Sequence, residues 1–193
     1  MSSVADAAEA IRRGELVVYP TETVYGLGAD ALDPDAVQRV FDAKGRSRDK
    51  PVSLAVPDAQ AAREYTEPTD LEDAFIREFL PGPVTVLVQR REMVPDVLTA
   101  GREQVGVRVP DHELALSLLA EVAPITATSA NVSGQPSVRR VADLDAITEA
   151  VSVVLDGGET GGTGSTVVDV EAGVIHRRGE NVDAIEQWLA EHA

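Results

Sequence analysis

Eight short apolar runs are spread along the whole chain, and segments of helical period stand between several of them. The runs are Leu16 to Tyr19, Val52 to Val56, Val84 to Gln89, Val105 to Val109, Ile125 to Thr128, Val151 to Leu155, Thr166 to Val170 and Val174 to Arg177. Their length and β-branched content suit strands rather than helices. The last two flank Glu171-Ala172-Gly173 and read as a hairpin. Ala5 to Arg13, stopped by Gly14, reads as a short amphipathic helix. Asp33-Pro34 pairs a carboxylate N-cap with proline at the first helical position, and Gly45 ends the helix that follows. Leu71 to Leu80, His112 to Val122 and Asp183 to Glu191 complete the helical set. Strands and helices interspersed in this way, with both crossovers and hairpins, predict an α/β domain around one twisted mixed sheet.

Length and composition agree with a single domain over residues 1–193. Apolar residues make up 44% of the chain and aromatic residues only 4%, so the core is built from Val, Leu, Ile and Ala. No cysteine is present, which excludes disulfides, thiolate metal sites and thiol nucleophiles. No long apolar run occurs, and acidic residues stand in the first 13 where a signal peptide needs an apolar centre. The expectation is a soluble, cytoplasmic protein with no membrane contact.

Charge is the next constraint. The formal net charge is −16, from 17 Lys plus Arg against 33 Asp plus Glu. That balance argues against free duplex binding by a general basic surface. High acidity with almost no lysine resembles proteins of salt-loving cytoplasms, where carboxylates keep a protein soluble. Only two lysines occur, Lys44 and Lys50, and both lie in Lys44-Gly45-Arg46-Ser47-Arg48-Asp49-Lys50. Four cations so close in sequence repel one another and add nothing to a core. They suit a polyanion such as a polyphosphate, with a solvated basic loop as the alternative. The cluster straddles a helix C-terminus, so the dipole opposes phosphate binding there and side chains have to supply it.

Three further segments carry polar chemistry. Tyr19-Pro20-Thr21-Glu22-Thr23-Val24-Tyr25-Gly26-Leu27-Gly28 follows a strand and is read as a small polar pocket or a threonine-stabilised turn. Its glycine pair lacks the third glycine of a dinucleotide fingerprint. In Thr126 to Gly134 a strand gives way to hydroxyl and amide groups. Ser129 and Asn131 point to one side if that backbone stays extended, and the ordinary alternative is a capping loop. Gly157 to Thr166 is either a linker or a glycine-rich loop whose backbone closes on a phosphate. His112-Glu113 begins like a zinc-protease motif, but position 116 is leucine, and the three histidines show no metal spacing. No metal-ligating residue is assigned.

Taken in order, these segments resemble the YrdC family of threonylcarbamoyl-AMP synthases over roughly residues 4–190. Pro20 to Leu27 resembles the family's opening motif. Lys44-Gly45-Arg46 and Ser129-Ala130-Asn131 resemble its paired K-x-R and S-x-N signature. Pro81-Gly82-Pro83-Val84-Thr85, Val107 to His112 and Ser165 to Val168 match further landmarks. The resemblance implies a twisted open sheet flanked by helices, with a positively charged concave cavity. It implies that L-threonine, bicarbonate and ATP are converted to threonylcarbamoyl-AMP and pyrophosphate. A downstream threonylcarbamoyl transferase complex then modifies adenosine 37 of certain tRNAs.

By the same resemblance Lys44, Arg46 and Lys50 hold the triphosphate. Ser129 and Asn131 contact the nucleotide and share catalysis with Lys44 and Arg46, Ser137 lies nearby, and Arg177 lies against the nucleotide. Thr23 and Ser165 bind threonine, and Arg108 pairs with its carboxylate, a task that suits the guanidinium fork. Mg²⁺ accompanies ATP and needs few protein ligands. Ala55 stands where longer members carry a histidine, and the second domain of those members is not expected here. Two alternatives remain at this stage. One is an RNA-binding or ribosome-maturation module contacting tRNA or double-stranded RNA. The other is a paralogue acting on a different carbamoyl acceptor.

Overall fold

The computed structural model describes residues 2–144 and 146–192. Helix α1 (Val4–Arg12) opens with a capping box, in which the Ser3 hydroxyl accepts from the Asp6 amide and the Asp6 carboxylate accepts from the Ser3 amide. Then follow β1 (Leu16–Tyr19), β2 (Gly26–Gly28), α2 (Pro34–Lys44), β3 (Ser53–Ala55), α3 (Ala59–Tyr65) and α4 (Asp70–Phe79). The chain continues through β4 (Val84–Gln89), α5 (Asp96–Thr99), β5 (Gln104–Arg108), α6 (Glu113–Glu121) and β6 (Ile125–Ser129). After two 3₁₀ turns come β7 (Val151–Val154), β8 (Thr166–Asp169), β9 (Val174–Arg177) and α7 (Val182–His192).

Among the described residues nine strands form one sheet in the order β7-β1-β2-β6-β3-β5-β4-β8-β9. The pairs β1/β7, β3/β5 and β4/β8 are parallel and the others antiparallel, so the sheet is mixed. All eight runs singled out in the sequence are strands, with ends moved by a residue or two. Three elements were not anticipated. Strand β2 lies within the segment read as a polar pocket or turn, and α3 and α5 are short. Asp58 caps α3 by accepting from the Ala61 amide at 2.8 Å.

Period-two alternation separates the two faces of the sheet. Val86, Val88, Val105, Val107 and Val168 point to one side, where they pack with Val37 and Phe41 of α2, Phe75 and Ile76 of α4 and Ile185 of α7. Each such side chain taken fully out of water contributes about 1.5–3 kcal/mol, so a one-residue slip of β4 or β5 would be strongly opposed. Their neighbours in sequence, Thr85, Leu87, Gln104, Gly106 and Arg108, take the opposite face. Helices α1 and α6 cover only the β1/β6 part of that face, through Ala7, Ile11, Leu118 and Leu119 against Val17, Tyr19 and Ile125. The remainder is left concave and open.

Candidate active site

The open face encloses a cavity of about 540 Å³. Its floor is the sheet itself. Gly26 and Gly106 lie on it, and both glycines have a steric reason. A Cβ at Gly26 would stand 2.8 Å from the Tyr19 ring, and one at Gly106 would collide with the Ser53 hydroxyl. Gly28 likewise meets Tyr19, so the Gly26-Leu27-Gly28 pair makes room for a buried tyrosine. Arg46, Lys50, Arg102, Arg108 and Arg177 line the cavity against one carboxylate, Asp169.

The basic segment divides among three environments. Helix α2 ends at Gly45, whose φ of 55° is left-handed, and this turn sends the chain toward the cavity. Arg46 lines the cavity, its Nε donating to the Lys50 carbonyl at 3.0 Å and its Nη2 to the Pro51 carbonyl at 2.9 Å. Burial pulls its pKa down, with Asp49 acting the other way. Lys50 lines the same wall. Arg48 turns outward and pairs with Asp42 at 3.2 Å.

Lys44 is buried and does not line the cavity. Its Nζ donates to the carbonyls of Ser129 and Asn131, the latter at 2.6 Å, and its own carbonyl accepts from the Ser133 amide at 2.8 Å. Burial, and then the charge of Arg46, push its pKa down to about 8. Where the resemblance implies that Lys44 holds phosphate, the fold sets its ammonium against the backbone of the S-x-N turn, behind the cavity wall.

Ser129 is the last residue of β6, opposite Gly26, and lines the cavity with Ser137. The strand ends there, so the alternation that would align Asn131 with Ser129 does not continue. The Asn131 amide nitrogen donates to the carbonyls of Val132 at 2.9 Å and Gln135 at 2.8 Å, and Asn131 is not among the lining residues. Its Oδ1 is buried and accepts no hydrogen bond among the described residues. An orphan acceptor of that kind needs a donor from water or a ligand.

Arg108 closes the other end. Its Nη2 donates to Glu22 Oε1 at 2.8 Å, Thr23 Oγ1 at 2.6 Å and Thr21 Oγ1 at 3.4 Å. Its Nε is buried without a partner among the described residues, a second donor awaiting an acceptor. Thr23 is fully buried and shares a 2.9 Å hydrogen bond with Thr21, which is the threonine lining the cavity. The Ser165 hydroxyl pairs with Thr85 at 3.0 Å and accepts from Arg177 Nη2 at 2.7 Å. Burial, then Arg108 and Arg46, lower the pKa of Arg177, so three guanidinium groups act on one space. The glycine-rich loop is tied to the protein itself: Gly161 donates to the Glu22 carbonyl, Tyr25 donates to the Gly158 carbonyl, and a Cβ at Gly161 would stand 2.7 Å from Glu22 O. Close approach explains Gly157, against Pro20, and Gly161, against the Glu22 carbonyl, whereas Gly162 meets Arg139 and Gly158 and Gly164 have open space.

Residues 9–179 match the profile of the Sua5/YciO/YrdC family, whose description is telomere recombination. The chain belongs to this family. It is 43% identical over 171 residues to the threonylcarbamoyl-AMP synthase of Pyrococcus abyssi (strain GE5 / Orsay), covering 85% of this chain and 49% of that protein. This Sua5/YciO/YrdC chain thus spans about half the length of that relative. It is 33% identical to the threonylcarbamoyl-AMP synthase of Vibrio vulnificus (strain YJ016), over 98% of this chain and 97% of that one. Its fold superposes on P. abyssi Sua5 complexed with L-threonine with a TM-score of 0.90, at 39% identity, over 97% of this chain and 57% of that one.

Within this family member, the fold brings Arg46, Lys50, Arg108, Ser129, Ser137, Ser165 and Arg177 to one cavity and sets Lys44, Asn131 and Thr23 behind its wall. Glu22, Thr21, Arg102, Gln104 and Asp169 were not assigned from the sequence. Glu22 and Thr21 stood inside the segment read as a polar pocket. Gln104 could have been found from the alternation Gln104-Val105-Gly106-Val107-Arg108, which puts it on the same face as Arg108.

Proposed function

We propose that the chain is a threonylcarbamoyl-AMP synthase that joins L-threonine, bicarbonate and ATP and releases pyrophosphate. The observation that carries this reading is the pairing, in one cavity, of a cationic wall at Arg46, Lys50 and Arg177 with the half-buried Arg108 site, where Thr21 and Ser165 share the lining. The first suits a triphosphate, and the second suits the carboxylate of an amino acid. The relatives called threonylcarbamoyl-AMP synthase, and the Sua5 structure containing L-threonine, support the same assignment.

In this reading the threonine amine combines with bicarbonate to give the N-carboxylate and water. A carbamate oxygen then attacks the α-phosphorus, the bond to the β-phosphate oxygen breaks, and pyrophosphate leaves. Charge develops on the equatorial and leaving oxygens, where Arg46, Lys50 and Arg177 stabilise it without reorganising. The Arg108 end holds threonine so that its nitrogen faces the nucleotide, converting an encounter into a positioned reaction. Lys44 keeps the 129–131 turn in place, so that Ser129 contacts the nucleotide. A Mg²⁺ carried in on the triphosphate would need few protein ligands, and the hydroxyls of Ser129 and Ser137 in the cavity lining would offer it oxygen. That ion would shield the β and γ oxygens as pyrophosphate departs. The product would pass to a threonylcarbamoyl transferase complex acting on tRNA adenosine 37.

Purified protein supplied with ATP, bicarbonate and Mg²⁺ should release pyrophosphate only when L-threonine is added. Assayed at low and at multimolar salt, threonine-independent release or silence in both conditions would remove the synthase assignment.

A further inference from the structure

The cations of the cavity differ in how they are held. Arg46 and Arg102 donate to backbone carbonyls, and Arg177 donates to the carbonyl and hydroxyl of Ser165. None of these three, nor Lys50, forms an ion pair with a carboxylate among the described residues. The Asp49 carboxylate acts on Arg46, Lys50 and Arg102 without a direct ion pair to any of them, although the chain carries 33 acidic residues. Arg108 is the exception. Glu22 meets it at 2.8 Å, the two side chains are only 12% and 16% exposed, and the second Glu22 oxygen is fixed by the Asp111 amide at 3.2 Å. Glu22 does not itself line the cavity; it stands behind the arginine.

We infer that Glu22 is a specificity-determining residue that divides the cavity electrostatically. By pairing directly with Arg108, it lowers the positive charge presented at the amino-acid end and keeps polyphosphate off it. A polyphosphate is drawn by net positive potential and would otherwise reach across all five cations of one open space. A zwitterionic amino acid carries no net charge and gains little from that potential. It depends on directed hydrogen bonds, which Arg108, a residue of the cavity lining, still offers from the guanidinium nitrogen that Glu22, Thr21 and Thr23 leave free. Lowering the charge at Arg108 while leaving that donor available therefore rejects the wrong ligand more than the right one. Burial shields the pair from salt, so the division persists at high ionic strength. The inference rests on the reading of the Arg108 end as the threonine site.

The test uses inorganic triphosphate and L-threonine as calorimetric ligands of the intact chain. In the native protein, saturating triphosphate should leave the threonine Kd unchanged. In Glu22→Gln, triphosphate should spread onto Arg108 and raise the apparent threonine Kd at least tenfold, while its own affinity increases. A residue that only props up Arg108 would weaken threonine binding with no gain for triphosphate, and that result overturns the inference. Leaving one buried charge unpaired can unfold a protein, so Glu22→Gln/Arg108→Gln, which removes both charges, serves as the second variant. It should keep native triphosphate affinity and lose threonine. A loss of triphosphate affinity as large as that of Arg46→Gln would place Arg108 in the phosphate site and end the division. Failure of the native protein to bind threonine would instead remove the underlying reading of the Arg108 end.

Discussion

Lys44 and Arg46 are two residues apart and do different work. Arg46 presents its charge to the cavity, whereas Lys44 buries its ammonium against the carbonyls of Ser129 and Asn131. Arg46→Ala should therefore lower turnover about 100-fold or more, the scale of losing one transition-state charge contact, in a steady-state pyrophosphate-release assay. A small effect would move phosphate stabilisation to other side chains. For Lys44 the readout is stability against pH. Its ordinary pKa is 10.5 and the folded value is about 8, so between those values the unfolded chain holds a proton that the folded chain has released. Stability from this group then rises with pH across that window and is constant below it. Urea unfolding of the native protein and Lys44→Gln should show the native protein gaining on the variant from pH 8 to about 10. Tyr19 works in the opposite direction above its ordinary value of 10.0, because burial raises its pKa to about 12 and the unfolded chain ionises first. The contrast between the two basic residues was not legible in the K-x-R spacing. Charge clustering tells that cations meet something polar, but Lys44 meets carbonyls supplied 85 and 87 residues later, and only the fold brings those together.

At the scale of the element, strands announce themselves through alternation, and β4 and β5 do so plainly: Val84-Thr85-Val86-Leu87-Val88 and Val105-Gly106-Val107-Arg108 assign their own faces. Strand β2 does not. Three residues, two of them glycine, carry no periodic signal, and the reason for the glycines is the ring of Tyr19 from the neighbouring strand. The pairing Tyr19↔Gly26 places that ring over β2, so the tyrosine rather than a β2 side chain fills the layer between the floor and helices α1 and α6. Gly26→Ala sets a methyl group within 2.8 Å of the ring. It should cost about 1–3 kcal/mol, the usual range for overpacking, read as a fall in the urea midpoint without a change in slope. An unchanged midpoint would mean that the ring shifts freely and that the floor is not set by this contact. Helices α3 and α5 were missed because seven and four residues hold too few turns for a 3.6-residue period to show.

For the whole molecule, the governing contrast is between a net charge of −16 and a cavity walled by Arg46, Lys50, Arg102, Arg108 and Arg177. The acidic surface repels polyanions in general, so a phosphate-bearing ligand is retained where cations converge on one concave face. That convergence was partly readable. The family resemblance tied the K-x-R and S-x-N segments to one site, and the sheet order explains their meeting, since β6 lies between β2 and β3 at the centre of the sheet. Arg102 and Asp169 gave no signal of their own, because a single charged residue at a strand end is ordinary in sequence and becomes significant only when the fold brings it to the cavity wall. The central claim is that the cavity directs an amino-acid carbamate to the α-phosphorus of ATP. Reacting the protein with threonine, bicarbonate and ATP labelled with ³²P at either the α or the γ position tests it most directly. The α label should move into threonylcarbamoyl-AMP and the γ label into pyrophosphate; γ label appearing as orthophosphate, with α label left in ADP, would contradict it.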